Sequence, residues 1–160
     1  MLLSFMMLGV LLILVVLFMT ITVALIPKIV VKSAPKDIQE KVLSRSDGPR
    51  WKTILGLILA TILSVGALLI LIWAGVNAKQ NHMSFGQIFA RYLILLEGYK
   101  IFDMVCFDYL LLTKLHIFQK FFPETIGCKG YEKYGFNLKS QVVKIIVFAM
   151  ISLILAIILK

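Results

Sequence analysis

Four runs of apolar residues alternate with polar segments along the chain. They cover about residues 2–26, 53–77, 85–112 and 141–159. An α-helix of about 20 apolar residues crosses the hydrocarbon core of a bilayer, and each run reaches or approaches that length. We therefore predict an all-α integral membrane protein with four transmembrane helices, organised as a single membrane domain over residues 1–160.

The composition favours a membrane protein over a soluble one. Hydrophobic residues make up 61% of the 160 residues, whereas soluble domains average about 45–50%. The formal net charge is +9. In so apolar a chain, excess positive charge indicates loops that face anionic lipid rather than nucleic acid. We expect the lipid bilayer, with its anionic cytoplasmic leaflet, as a partner, and no nucleic acid.

The first run, Leu2 to Ile26, holds no charged residue. A cleaved signal peptide is the competing interpretation, because Thr22-Val23-Ala24 loosely resembles a cleavage site. Signal peptides combine a positive segment with an apolar region of about 7–15 residues. This run is longer and no positive segment precedes it, so we expect it to remain as a membrane helix.

The basic residues predict the orientation of the chain in a plasma membrane. Seven Lys and Arg residues lie in the 28–52 segment and six in the 113–144 segment, whereas the 78–84 connection holds only Lys79. Basic loops stay in the cytoplasm. We therefore expect a multi-pass protein with both termini outside and with cytoplasmic loops at 27–52 and 113–140.

The same rule decides whether the charged third run crosses the membrane. If it did not cross, residues 78–144 would all lie outside with nine Lys and Arg residues. That arrangement opposes the positive-inside rule, so four crossings are favoured over three.

The second run carries two further signals. Trp51 and Trp73 bracket it, about 33 Å apart at the helical rise, and both indoles are predicted to anchor at the membrane interfaces. Gly56, Ala60 and Ser64 form a stripe of small residues that would let another helix approach closely. The alternative is that the stripe reflects only the general frequency of small residues in membrane helices.

A short amphipathic stretch lies in the first basic loop, at residues 37–43. Two interpretations remain open. The stretch lies along the lipid headgroups, or it is a solvated linker with one helical turn.

The third run differs from the others because it holds ionisable residues among aromatics and leucines. At about 100° per residue, Glu97, Lys100, Asp103 and Asp108 fall in one arc of about 140°. The (i, i+3) spacings allow Lys100 to pair with Glu97 and with Asp103. Arg91 falls outside the arc and is predicted to be an interface anchor. Central charges are costly in lipid, so the arc must face protein or water.

The polar arc supports more than one function. In a functional interpretation it binds an ion, a proton or a polar substrate. In a structural one it neutralises itself and fixes helix packing. The leading hypothesis is a non-enzymatic membrane protein whose third helix docks a partner or responds to ions or protons. We expect it to assemble as a homo-oligomer or with another membrane subunit.

Two other functions are alternatives. The first is a small oligomeric transporter or channel that relays protons or ions. The second is an intramembrane enzyme that uses Asp103 and Asp108 as acid–base groups. The enzyme has the least support, because the sequence shows no nucleophile–base pair or metal cluster.

Motifs for cofactors and metals are absent from the sequence. It contains no P-loop, Rossmann glycine signature, H-E-x-x-H or G-x-S-x-G. Cys106 and Cys128 form no C-x-x-C and are expected to be free thiols. The predicted topology puts His82 and His116 on opposite sides of the membrane. We therefore predict no cofactor, no metal site and no assigned catalytic residue.

One region resembles a known group of proteins. Residues 102–109 read F-D-x-x-x-x-D-[WY], and residues 123–127 and 131–136 follow as a loop with Pro, Thr, Gly and Tyr. This pattern resembles a group of small, uncharacterised bacterial four-helix membrane proteins, although Tyr109 stands where Trp is expected. The resemblance covers about 95–145. It implies a bacterial plasma membrane and no particular activity, and it makes Asp103 and Asp108 the first positions to test.

Overall fold

The structure is a computed structural model that describes residues 1–46, 48–133, 135 and 138–160, without the side chain of Ser33. The described residues form helices, turns and loops, and no strand occurs among them. The α-helices are α1 (Leu2–Leu25), α2 (Pro27–Val30), α3 (Lys36–Leu43), α4 (Arg50–Gln80), α5 (Phe85–Phe102), α6 (Ile117–Phe121) and α7 (Leu138–Leu159). Short 3-10 helices cover Val31–Ser33, Pro123–Thr125 and Lys129–Glu132. The all-α prediction is confirmed over this part of the chain.

Three helices, α1, α4 and α7, are long and apolar enough to cross a membrane. Only 17%, 11% and 11% of the residues in their most apolar stretches are buried inside the protein. Most of their Leu, Ile, Val and Phe side chains therefore face outward. Such a large exposed apolar surface is costly in water and suits contact with lipid.

The third predicted helix begins where expected, at Phe85, because Ser84 caps it. The Ser84 hydroxyl accepts a hydrogen bond from the Gln87 backbone N–H at 3.4 Å, and the Gln87 side chain accepts one from the Ser84 N–H at 2.9 Å. This capping box satisfies two donors that the first turn would otherwise leave unpaired.

The backbone changes from α-helical to π-helical after Phe102. The π-helical segment covers Asp103–Lys114, and the wider i→i+5 pattern is visible where Leu115 N–H donates to Leu110 O at 2.8 Å. π-helical turns are rare and are frequent at functional sites. The helix therefore extends two residues beyond the predicted 85–112, but with a different pitch in its second part.

The described chain divides into two compact units. Unit 1 comprises Met1–Val15, Val65–Asp103 and Asn137–Lys160. Its helix α5 packs along α7. The buried core of unit 1 consists of Met7, Ala74, Ala78, Ile88, Tyr92, Leu95 and Ala156. Three of these residues are alanines, which allow helices to approach closely.

Unit 2 comprises Val16–Ser64 and Met104–Phe136. Its core consists of Val31, Ile38, Val42, Leu112, Phe122, Cys128 and Tyr131. In this unit the amphipathic stretch 37–43 belongs to α3, and Ile38 and Val42 are fully buried. The apolar face of α3 thus packs on protein, which neither of the two sequence-based interpretations anticipated.

A close backbone contact joins α3 to the second loop within unit 2. The Asp37 carboxylate accepts a hydrogen bond from the Gly130 N–H at 2.7 Å. A Cβ at position 130 would lie 2.6 Å from the Pro35 Cβ and would clash with the Asp37 carboxylate. Only glycine fits at position 130, because Pro35 and Asp37 lie too close for a side chain. The two basic loops therefore pack against each other in unit 2.

Gly56 and Ala60, two members of the small-residue stripe, are buried against other residues of the same chain. A Cβ at Gly56 would lie 2.8 Å from the Leu25 Cβ and 3.0 Å from the Ile26 Cγ2, and Ala60 is buried. Gly56 thus lets α4 approach the end of α1 in unit 2. Ser64 is exposed. Since this close approach involves α1 of the same chain, the contact at Gly56 gives no argument for a second copy.

Candidate functional site

Lys100 lies in the last turn of α5 and is the most enclosed charged residue of unit 1. Its side chain is 2% exposed and donates to the Asp103 carboxylate, with which it forms an ion pair. Of the two possible (i, i+3) pairs, the structure contains the one with Asp103. No ion pair between Lys100 and Glu97 occurs among the described residues. Among the described residues, Lys100 thus forms an ion pair with one carboxylate, that of Asp103.

Glu97 is the remaining acid of this cluster. Its Oε1 atom is buried and accepts no hydrogen bond from the described residues. A buried acceptor without a donor is costly, and the cost is larger when the group carries a charge. The three side chains of Glu97, Lys100 and Asp103, which we call the charged cluster, have formal charges that leave one negative charge uncompensated.

Helices α1 and α7 contact α5 at Gly98 and Tyr99, next to the charged cluster. Gly98 lies against α1, since a Cβ at this position would meet the Leu8 side chain at 2.7 Å. The Tyr99 and Phe148 rings contact each other across the α5–α7 interface, with centroids 6.3 Å apart. The charged cluster is therefore bordered by protein, as the insertion cost of its charges requires.

Asp108 lies in unit 2 and in the π-helical segment. The predicted arc of four polar residues assumed a constant 100° per residue, and that assumption does not hold beyond Phe102. The Thr113 hydroxyl donates to the backbone carbonyl of Asp108 at 2.9 Å. Within unit 1 the cluster therefore consists of Glu97, Lys100 and Asp103, and the shared face of Asp108 with these residues stays a prediction.

Arg91 is held by protein acceptors inside unit 1. It is 4% exposed, and its Nε donates to the Ser4 hydroxyl at 3.3 Å. One terminal nitrogen donates to Ala74 O at 3.1 Å and to Asn77 Oδ1 at 2.9 Å. The sequence predicted an interface anchor. In the structure its hydrogen bonds link α5 to α1 and α4 instead, and its depth in a bilayer stays a prediction.

Three residues of this network were missed by sequence reasoning. Ser4 and Asn77 supply acceptors for Arg91, and the Tyr92 hydroxyl donates to Leu71 O at 3.0 Å. The only sequence signal was that Ser4 and Asn77 are polar residues in or next to apolar runs. Because the partners lie far apart in sequence, local pattern could not connect them.

The two tryptophans predicted as anchors are both on the surface. Trp51 is 60% exposed and Trp73 is 50% exposed. The Lys52 ammonium lies 5.7 Å from the centroid of the Trp51 ring, a cation–π distance. Exposed indoles suit an interfacial position, which stays a prediction for both residues.

Within the described part of the chain, no group of three His, Cys, Asp or Glu side chains converges as metal ligands would. His82 and His116 both adopt a positive φ of 47°. Each ends or begins a helix, and the His116 ring lies edge-on against Tyr131 at 5.4 Å. The positive φ values of His82 and His116 therefore occur next to helix ends.

Comparisons of the chain with protein-family models, curated proteins and solved structures give no match. The resemblance to a bacterial four-helix group therefore stays a prediction. Part of its pattern, Tyr134 and Phe136, lies outside the described residues.

Proposed function

We propose that this chain is a non-enzymatic, multi-pass protein of the plasma membrane in which the charged cluster responds to protons or cations. The observation that carries the proposal is the buried Glu97 oxygen that lacks a donor. Lys100 is already paired with Asp103, so it does not neutralise Glu97. Binding one proton, or one monovalent cation, would remove the uncompensated negative charge from a setting of low dielectric.

Arg91 does not replace the missing partner. It lies six residues before Glu97, about 9 Å along the helix axis, and its Nε and one terminal nitrogen donate to a hydroxyl, a carbonyl oxygen and an amide oxygen. Partner docking through this cluster has less support, since Lys100 is covered by its own chain. Response to a small cation suits the enclosed geometry better.

Four crossings and external termini are part of the proposal. The helix made of α5 and the π-helical segment spans 30 residues, and its 18-residue α-helical part alone rises about 27 Å. That length approaches the hydrocarbon thickness of about 30 Å. The buried charges of α5 contact protein rather than lipid. A crossing of this helix requires such contacts, because charged side chains are costly in lipid.

Single cysteines can count the crossings. In a variant without Cys106 and Cys128, we place one cysteine at the exposed positions Ser46, Asn81 or Lys120. Four crossings put position 81 on the opposite side from 46 and 120, so only Asn81→Cys should react with an impermeant thiol reagent in intact cells. Equal reactivity of the cysteines at 81 and 120 would indicate three crossings and overturn the proposed topology.

Infrared difference spectra test the proton response directly. A proton-binding Glu97 should produce a carboxylic acid C=O band on acidification of the purified protein, and Glu97→Gln should lose that band. Glu124→Gln, which removes a carboxylate from the loop, should keep it. If the wild-type band persists in Glu97→Gln, Glu97 is not the responding group.

Cation binding and transport have separate signatures. If Glu97 takes a monovalent cation, titration with sodium or potassium should suppress the carboxylic acid band of the wild type. Proteoliposomes that enclose a pH-sensitive or ion-sensitive dye distinguish a responsive protein from the alternative of an oligomeric transporter or channel. Flux of ions or protons that depends on Glu97 would favour transport. Absence of flux, together with a carboxylic acid band that responds to pH or to the cation, would favour the proposal.

A further inference from the structure

A cleft in unit 2 combines basic and apolar side chains. It has a volume of about 510 Å³ and opens where α1 ends, α2 begins, and Gly48 and Pro49 precede α4. Three cations line it: Lys28, Arg45 and Lys52. Its volume lies within the range of small-molecule sites, about 300–1,000 Å³.

The charged side chains in the described part of the cleft lining are all basic, and Asp47 lies outside the described residues. Arg45 contacts Glu124 at 3.6 Å, but this pair is open to solvent, with Arg45 52% exposed. A solvent-exposed pair at that distance is weak. The guanidinium therefore retains donors for a second anionic group.

Another part of the cleft lining is apolar. Val23 in α1, Ile29 in α2 and Phe121 in α6 contribute to this apolar wall, and Ile29 and Phe121 are 48% and 50% exposed. A free inorganic anion gains nothing from such a wall, whereas a ligand with a charged head and a hydrocarbon part uses both surfaces. The lining thus matches an amphipathic anion.

The apolar surface continues from the cleft along a membrane-spanning helix. Thr53 in the first turn of α4 lines the cleft, and Ile54 and Leu55 follow it with 58% and 41% exposure. Trp51, whose exposed indole suits a membrane interface, lies in the same turn. Acyl chains of a ligand in the cleft would lie along these exposed apolar side chains of α4.

We propose that this cleft binds the phosphate headgroup of an anionic phospholipid, with Arg45 and Lys52 as the phosphate ligands, Lys28 adding to the positive charge of the lining, and the acyl chains along α4. The inference goes beyond the proposed response of Glu97 and does not depend on it, since none of the cleft residues belongs to the charged cluster. It also holds for either orientation of the chain, because it concerns whichever leaflet meets these loops.

A second basic cleft in unit 2 provides the control. Lys36, Lys41, Lys129 and Lys133 line it together with Asp37, and none of the side chains in its described lining is large and apolar. It carries a comparable positive charge without the hydrocarbon wall. If charge alone recruited lipid, the two clefts would contribute equally.

The experiment measures phospholipid binding to the purified full-length chain in a neutral detergent, by native mass spectrometry and by thermal stability. Short-chain phosphatidylglycerol is compared with phosphatidylcholine of the same chain length. We expect the wild type to prefer phosphatidylglycerol, and Lys28→Gln/Arg45→Gln/Lys52→Gln to weaken binding at least about tenfold, since each basic residue adds to the attraction of an anionic headgroup. The control Lys36→Gln/Lys129→Gln/Lys133→Gln should bind as the wild type does.

Three outcomes would overturn the inference. The first is equal binding of the two lipids, and the second is an equal loss in both triple variants. The third is that glycerol 3-phosphate alone competes as strongly as the lipid, which would indicate a site for free phosphate compounds. If the triple variant does not fold, the exposed rim residue gives a milder test. Lys52→Glu should weaken phosphatidylglycerol binding, and Glu124→Gln should preserve or strengthen it.

Discussion

Two cations of unit 1 and two of unit 2 lie in contrasting environments. In unit 1 the cations Arg91 and Lys100 are almost completely buried, and each is held by acceptors of its own chain. In unit 2 the cations Arg45 and Lys52 are exposed and line an open cleft. Enclosed charges are sensitive to the loss of a single partner, whereas exposed ones are screened by solvent. The same residue types are therefore held by acceptors of the chain in one unit and remain open to solvent in the other.

The largest expected effect comes from removing the buried cation. Lys100→Met leaves Asp103 without its partner beside an already uncompensated Glu97, and should cost about 3 kcal/mol or more of stability. Thermal unfolding in detergent and accumulation in the membrane measure this loss. Lys100→Met combined with Asp103→Asn removes the pair as a unit and should recover most of the stability. A single variant as stable as the wild type would contradict the buried ion pair.

A second test concerns the packing of unit 2. Gly130→Ala forces a methyl group against Pro35 and the Asp37 carboxylate, and should destabilise the protein by about 1–3 kcal/mol. Gly9→Ala in α1 is the matched control, since its added Cβ meets nothing within 4 Å. It should be neutral or slightly stabilising because alanine favours helix. Equal stability of the two variants would argue against the contact between α3 and the second loop.

The third test uses the buried Tyr131, whose hydroxyl lies 2.6 Å from the Thr125 hydroxyl. Burial raises the pKa of Tyr131 above its ordinary value of 10.0. The hydrogen bond with Thr125 opposes this rise. Charged and titratable neighbours are Asp37, Glu124, Cys128 and His116.

Because the unfolded chain releases this phenolic proton first, stability should be fully present below pH 10 and should fall as pH rises towards the folded pKa. Tyr131→Phe should cost about 1 kcal/mol at neutral pH through the lost hydrogen bond and should flatten the alkaline decline in thermal scans. Tyr109→Phe, at an exposed tyrosine, should retain the slope of the wild type. An unchanged slope in Tyr131→Phe would show that other groups govern the alkaline decline.

The smallest effect is expected at the exposed pair of unit 2. Arg45→Gln should change stability by less than about 1 kcal/mol, because the Arg45–Glu124 pair is open to solvent. Denaturant unfolding of Arg45→Gln and of Lys100→Met gives the change in the free energy of unfolding for each variant, and these two values compare the units. A loss at Arg45 as large as that at Lys100 would remove the distinction drawn between enclosed and exposed charges.

The sequence by itself determined the helices with long apolar runs. The prediction of 2–26 corresponds to Leu2–Leu25, and 141–159 corresponds to Leu138–Leu159. For 53–77 the helix extends further at both ends, as Arg50–Gln80. These elements were predictable because apolar length and helical hydrogen bonding are local properties of the chain.

The tertiary structure decided how the polar residues are used. Sequence spacing allowed Lys100 either of two carboxylates, and the structure pairs it with Asp103 and leaves a Glu97 oxygen without a donor. It also gave Arg91 acceptors from α1 and α4, which lie many residues away in sequence. Helical periodicity predicts which residues share a face, but a buried polar group is satisfied by whichever acceptor packing brings near it. Only the folded arrangement of the chain determines that choice.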